Sequence, residues 1–466
     1  MMKKMLALLM LLALCMSSAL AAGEPAEYTS GDWVYVLQED GTAEIVDHLD
    51  EMAAIDLVIP AVLDGHAVTA IGDYAMQENA FLSVTIPEGV TRIGTSAFYW
   101  SYQMTAVSLP STLREIGDCA FKWCSEIESV VIPEGVLHIG EEAFQSDFGM
   151  TALTLPDSLE SIGAVAFNSC SGLTELVLPP NVRVIGAEAF SSCEGLTTVT
   201  LPEGLTHIGA DAFRDCTQLS EIRLPQSLVD MTDYPFRDCP QLNKEALLAD
   251  WPAYQVVDGM VYDMQQMALL YCPKELSAAS CTVLDGTRRI ADCAFYSCDG
   301  LMQVILPEGL MQIGDAAFYS CDNLTQINLP DSLVAIGKEA FSHCDGLTEL
   351  RFPDSVLYIG PDAFYSCDGL TEVRLPDDLR MIDSDVFRHC TSLRAVTIPY
   401  YVHYIGSNAF DGCSRLTTVT FEGRVDYFYR TSFGRCHPDL VIVVPQGSGA
   451  AELVQKYGLG LRYADR

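Results

Sequence analysis

Residues 173–195 read LTELVLPPNVRVIGAEAFSSCEG, and the chain writes variants of this 23-residue unit many times over. Phe recurs at 98, 121, 144, 167, 190, 213 and 236, then at 295, 318, 341, 364, 387, 410 and 433, every step within a series being 23. Pro keeps the interval from Pro87 to Pro225 and from Pro307 to Pro399, as do Ile-Gly pairs such as Ile93-Gly94, Ile185-Gly186 and Ile313-Gly314. A fixed period of this length marks units that stack, each too small to bury its own apolar side.

Within the unit each piece has a local meaning. Leu173, Leu176 and Leu178 have the spacing of a short strand with inward apolar and outward polar residues. Pro179 ends the strand, because a residue without an N–H cannot continue a ladder. Val182 and Ile185 turn back inside, and Gly186 permits a turn that a side chain would hinder. Ala189 and Phe190 fit a short helical or 3-10 segment on the far side, and Cys193 closes the coil. The expected fold is an α/β solenoid: a right-handed array of ~23-residue units, with parallel strands on the concave face, short helices on the convex face and a cap at each end.

The first cap is expected at 23–65, where DWVYVLQEDGTAEIVDH alternates around Asp40-Gly41 as a hairpin does. A first repeat block at 66–239 and a second at 282–436 flank an inserted hairpin or spacer at 240–281, which alternates across Asp258-Gly259. The terminal cap, 437–466, reads as a strand, a loop and an amphipathic helix.

The opening residues carry Lys3 and Lys4, an apolar run from Met5 to Leu14, and small residues ending at Ala21 and Ala22. Residues 1–22 are therefore expected to be a secretory signal peptide, too short in its apolar part to span a bilayer. Bulky Leu14 disfavours lipid attachment at Cys15, and no later stretch is apolar enough for a transmembrane segment. With 26 Lys plus Arg against 63 Asp plus Glu, the net charge of −37 argues against nucleic acid or an anionic membrane as partner. The expected location is secreted and extracellular, with cell-surface association left open.

Cys stands three residues after Phe in 12 of the 14 units, with Ser101 and Asp147 in the other two. So regular a pair of columns suits the inside of a wall, since a catalytic site is normally unique. The Phe column is read as a spine, and the Cys column as free thiols acting as small apolar groups. Disulfides remain an alternative in an exported chain. The off-beat Cys119, Cys272, Cys281 and Cys293 are the better candidates for them, Cys272 with Cys281 foremost.

Two acidic columns, Asp299, Asp322, Asp345 and Asp368, and Glu308, Asp331, Asp354 and Asp377, raise calcium as a question. Turn chemistry, with carboxylates accepting local N–H groups, is the simpler reading. His343 and His389 lie two coils apart, too far to share a metal. The H-E-x-x-H, G-x-S-x-G, P-loop and dinucleotide fingerprints are missing from the sequence. The chain is expected to be non-enzymatic, with no catalytic residues, metal or cofactor.

At LTEVRLPDDL (370–379) and IGDAAFYSC (313–321) the sequence resembles the BspA-type bacterial leucine-rich-repeat proteins, and the resemblance runs from about residue 28 to the end. It implies a leucine-rich-repeat solenoid and a secreted or surface-displayed binding protein, adhesin-like, whose partner is a host extracellular-matrix or cell-surface protein. The alternative is a structural, envelope-associated scaffold for other bacterial components. The resemblance brings no binding residues with it.

The candidate docking residues come from the strand face itself. Three strands carry Glu-x-Arg: Glu221 with Arg223, Glu349 with Arg351, and Glu372 with Arg374. The last two are neighbours, so carboxylates and guanidiniums should fall in adjacent columns. They either neutralise one another as weak surface pairs or form a polar docking strip with Arg351 and Arg374 at its centre.

Overall fold

The computed structural model describes residues 25–49, 55–231, 234–249, 251, 253–274 and 279–464. The expected signal peptide at 1–22 lies outside the described residues. The chain forms two compact units, Met1–Gly172 and Leu173–Arg466. In each, the repeats wind into stacked parallel-strand coils, a β-solenoid.

The first unit opens with an antiparallel ribbon of Glu27–Ser30, Trp33–Leu37 and Ala43–His48. Its hairpin turns at Asp40-Gly41, where Gly41 takes a φ of 81°. Ala43–His48 then pairs in parallel with His66–Ile71. A ladder of two-residue strands continues through Arg92–Ile93, Glu115–Ile116, His138–Ile139 and Ser161–Ile162. The three-residue strands predicted from L-x-x-L-x-L form a separate wall: Asp56–Val58, Ser83–Thr85 and Ala106–Ser108, then Ser129–Val131 with Ala152–Thr154.

The second unit repeats both walls. The wall that held three-residue strands begins here with Glu175–Val177, Thr198–Thr200 and the shorter Glu221–Ile222. Where the period breaks, Tyr254–Val257, Met260–Asp263 and Ala268–Tyr271 make another antiparallel ribbon, whose last strand pairs in parallel with Arg289–Ile290. This is the design of the chain's first ribbon, so the later coils start from a cap of their own. The far end carries the strand Val441–Val444, the helix Ala450–Lys456 and a parallel strand Gly460–Tyr463.

Each coil's third side departs from expectation. Among the described residues the α-helices are Lys244–Leu248 and Ala450–Lys456, with a 3-10 turn at Arg430–Phe433, and the repeated AF-x-x-C segments form turns. The reason lies in their hydrogen bonds. Alternate amides reach the next coil: Ser96 N–H to Asp118 O (2.8 Å), Phe98 N–H to Ala120 O (2.8 Å) and Trp100 N–H to Lys122 O (2.9 Å). The amides between them close i→i−3 turns, such as Tyr99 N–H to Ser96 O at 3.1 Å. This alternation uses left-handed residues two before and two after the Phe, such as Ser96 (φ 54°) and Trp100 (φ 61°) around Phe98, which a helix excludes. The Ile-Gly column also serves a purpose other than turning. A Cβ at Gly117 would stand 2.8 Å from Gly94 C and 2.9 Å from Thr95 N, so glycine is needed for one coil to lie close on the next.

The core is the predicted pair of columns. Phe98, Phe121, Phe144 and Phe167 stack at 5.1–5.2 Å between centroids in the first unit. In the second, Phe295, Phe318, Phe341 and Phe364 stack at 4.6, 4.9 and 5.2 Å, all with 0% exposure. Burial is worth about 2–3 kcal/mol per ring and parallel stacking about 1 kcal/mol more.

The ladder cysteines are more than apolar filler. Ladder thiols donate to the Phe carbonyl of the coil before, as Cys321 to Phe295 O and Cys344 to Phe318 O at 3.0 Å and Cys124 to Phe98 O at 3.3 Å, whereas Cys298 donates to Cys272 O at 3.8 Å. Burial pushes the thiols of Cys124, Cys321 and Cys344 well up, which keeps them as neutral donors. No disulfide joins the sixteen described cysteines, including Cys272 and Cys281, the foremost candidate pair. Those two belong to different walls. Cys281 is on the strand Ser280–Thr282, whereas Cys272 takes a spine position, its N–H bonded to Ala294 O at 2.7 Å as Phe295 N–H is to Ala317 O.

Candidate binding surface

The strand face presents one residue in two to solvent. Glu349–Arg351 and Glu372–Arg374 pair in parallel with Glu349 opposite Glu372 and Arg351 opposite Arg374. All four side chains are exposed while Leu350 and Val373 between them are buried. Adjacent columns were expected, and the register makes each column uniform in sign. Like charges one strand spacing of about 4.8 Å apart repel by about 1 kcal/mol in water. Among the described residues no ion pair or side-chain hydrogen bond joins these acids to these arginines. Four charged groups thus stand exposed on one face.

The next strands, Ala395–Ile398 and Thr418–Phe421, continue this face with Thr397 beside Arg374 and Thr420 beside Thr397. A cleft of about 690 Å³ opens there, lined by Glu372, Arg374, Thr397, Tyr400, Tyr401 and Glu422 among others. Tyr400 and Tyr401 are 63% and 50% exposed and pack edge to face at 5.3 Å. Tyr401 also borders a second cleft of about 570 Å³ with Leu357, Asp378 and Arg380. Sequence reading passed over these tyrosines, although PYY at 399–401 stands where most other units write Pro followed by an acid.

Glu221 and Arg223 lie elsewhere on the second unit's strand face, on a three-strand sheet with Thr198–Thr200 and Glu175–Val177. They line their own cleft of about 580 Å³ with Trp251. The six expected docking residues thus fall into two places, four together and two apart.

Some of the other candidates are engaged within the fold. Asp345 Oδ1 accepts the Asp368 N–H at 3.2 Å, and Asp368 Oδ1 accepts the Thr391 hydroxyl at 2.8 Å, so this acidic column makes turn bonds between coils. Glu88 does the same for the Ser111 N–H and hydroxyl at 3.0 and 2.9 Å, bonds that hold its carboxyl below the usual range. His343 sits edge-on between Tyr319 and Tyr365 at 5.4 Å from each, and His389 is 5.7 Å from Tyr365. Among the described residues no three His, Cys, Asp or Glu are placed to hold a metal, and no helix is long and apolar enough to cross a membrane.

Residues 69–171, 138–247, 271–373 and 312–439 match the family described as BspA type Leucine rich repeat region. Among solved structures the chain is similar to a leucine rich cell surface protein from Faecalibacterium prausnitzii, at 28% identity and a TM-score of 0.56 over 80% of this chain and 95% of that one. It is also similar to a leucine-rich repeat protein from Bacteroides ovatus (23% identity, TM-score 0.38, 96% and 100% covered). The pneumococcal vaccine antigen PcpA is a further likeness (19% identity, TM-score 0.43, 95% and 99% covered). None of the curated proteins compared with the chain matches it.

Proposed function

We propose, on the premise that this chain belongs to the BspA-type leucine-rich-repeat family, that it is a secreted or surface-displayed, non-enzymatic binding protein of adhesin-like character. Its partner is a protein of the host matrix or cell surface, held against the strand face of the second repeat block. The observation that carries this reading is the exposed column of Arg351 and Arg374 beside the cleft of Tyr400 and Tyr401. Arginine and tyrosine are the residue types that dominate protein interfaces, and Arg presents a planar fork to carboxylates. In a chain with 26 basic against 63 acidic residues, two adjacent arginines are also an uncommon local feature. The F. prausnitzii protein, described as a cell surface protein, supports the location.

The test is a binding screen of the purified chain against immobilised matrix proteins, intact host cells and washed producing cells. Saturable binding to a matrix protein or host cell supports the reading. Binding to the producing cells alone would replace it with an envelope scaffold.

A further inference from the structure

Two residues after each of the fourteen spine Phe the backbone is left-handed, with φ between 48° and 78°. Eleven of these positions carry Ser, Asp, His or Gly, and Arg435 ends the series. The other two are Trp100 (φ 61°) and Trp123 (φ 64°), in successive coils of the first unit. A bulky side chain is disfavoured in this backbone, and such positions persist where they serve a site. Neither indole enters the core. Trp100 is 51% and Trp123 40% exposed, and on the same side Tyr102 is 52% and Phe148 45% exposed. Trp100 meets Tyr99 edge to face, Trp123 meets Phe148 in the same way, each at 6.2 Å, and among the described residues no ring lies flat on either indole. The spine beneath advances by 5.1 and 5.2 Å from Phe98 through Phe121 to Phe144, so the outer rings run across three coils.

The surroundings say what these rings suit. In the turn segments 96–104, 119–127 and 142–150 the large apolar surface is aromatic alone, because Met104, Ile127 and Met150 are buried. Between the rings stand neutral polar groups. Gln103, Ser125 and Gln145 are half-buried, and Gln103 Nε2 donates to the Tyr102 hydroxyl at 3.3 Å. Lys122, the one basic residue of these segments, is paired with Glu142, and Glu126 is an exposed acid, so an anionic ligand finds no countercharge. Area points the same way. At about 150–250 Å² a ring, four half-exposed rings offer about 400 Å². That is half of the roughly 800 Å² that one side of a stable protein interface needs, and it is ample for a few sugar residues. Sugar C–H groups, made positive by neighbouring oxygens, settle on the negative faces of aromatic rings, and amides exchange hydrogen bonds with hydroxyls.

We infer that Trp100, Tyr102, Trp123 and Phe148 form a platform for a neutral oligosaccharide of hexose or N-acetylhexosamine units. Its sugar rings stack on the indoles, and its hydroxyls bond to Gln103 and Gln145. A run of rings across three coils is longer than one sugar ring, so a short chain is bound in preference to a monosaccharide. The site belongs to the first unit and does not depend on a partner at Arg351 and Arg374.

The test places the full chain on a printed array of neutral, sialylated and sulfated oligosaccharides. Tetrasaccharides of glucose, mannose and N-acetylglucosamine, with any further neutral oligosaccharide that the array returns, are then titrated while indole fluorescence is read. Trp100→Ser and Trp123→Ser install the residue commonest at this position in the other coils, so the fold is kept. The expected result is binding to neutral members of the array, a blue shift of emission on titration, and at least tenfold weaker binding in each serine variant at an undiminished Tm. Arg351→Ala with Arg374→Ala should leave this binding unchanged. The inference is overturned if no neutral oligosaccharide binds, if sialylated or sulfated members bind better, or if binding survives both serine changes. Loss of matrix-protein binding or of a dimer in the serine variants, with no oligosaccharide bound, would assign the rings to a protein partner and overturn it too. Acrylamide quenching of the unmodified protein decides the matter even if a serine variant fails to fold. The bound tetrasaccharide should shield the indoles, and quenching unchanged at saturation overturns the inference.

Discussion

Replacing Asp147 by cysteine should make the protein less sensitive to rising pH. Asp147 stands in the thiol ladder with 0% exposure. One carboxylate oxygen accepts the Cys124 N–H at 2.9 Å, and the other has no partner. At the same place in neighbouring coils, Cys124 and Cys170 donate to the carbonyls of Phe98 and Phe144, each at 3.3 Å. A protonated Asp147 can act as the same kind of donor, whereas an ionised one cannot. Burial pushes its carboxyl well above the ordinary carboxylate range. The folded state therefore holds the proton more tightly than the unfolded chain. The associated stability is fully present below the unfolded value of about 3.9 and is lost as pH rises towards the folded value, at up to about 1.4 kcal/mol per pH unit. Asp147→Cys supplies a donor that stays neutral over this range. Urea unfolding of both proteins at half-unit steps from pH 4 to 7.5 separates this group from the many other acids, because only the difference between the two curves is read. The difference should favour Asp147→Cys increasingly as pH rises from 4, with a slope approaching 1.4 kcal/mol per unit before it levels off. A difference that is flat, or that shrinks with rising pH, would refute the reasoning.

Val165→Asn should stabilise the first unit by about 1 kcal/mol, read as a rise in Tm, because Val165 is a β-branched residue held at φ 60° in the left-handed region that asparagine tolerates. Thiol titration of denatured, unreduced protein covering residues 25–464 should find close to the sixteen free cysteines of the structure, and a count near zero would mean the ladder is oxidised. Chelation of calcium should leave Tm unchanged within about a degree, since Asp345 and Asp368 are already engaged in turn hydrogen bonds; a fall of many degrees would require a metal in that column.

The period of Phe and Cys was enough to read the stacked coils, the strand at L-x-x-L-x-L and the buried spine, because each depends on an apolar pattern that burial enforces. The turn side was not legible. Ala-Phe-x-x-Cys has the composition of a short helix, and what decides against it is a pairing of amides with the next coil, such as Ser297 N–H to Tyr319 O at 2.8 Å. That bond requires left-handed backbone at Ser297 (φ 53°), a conformation with no residue signature here beyond a tolerance for Ser, Asp, Glu and even Val. The second wall of two-residue strands, as at Val184–Ile185, was hidden for a related reason: two residues carry no alternation to detect. On the candidate surface, the arginine and glutamate columns followed from the 23-residue register. Tyr400 and Tyr401 did not, since each breaks the repeat and only the folded chain shows what it stands beside.

The central claim, that a partner docks on the strand face at Arg351 and Arg374, is tested most directly by affinity for whichever protein the screen returns. Arg351→Ala with Arg374→Ala is compared with Tyr319→Ala with Tyr365→Ala, two residues of the turn side that stack around His343. Loss of at least 30-fold in the arginine pair, equal to about 2 kcal/mol, with little change in the tyrosine pair is the predicted result. Binding that survives the arginine changes and disappears with the tyrosine changes would place the docking surface on the turn side and contradict the account.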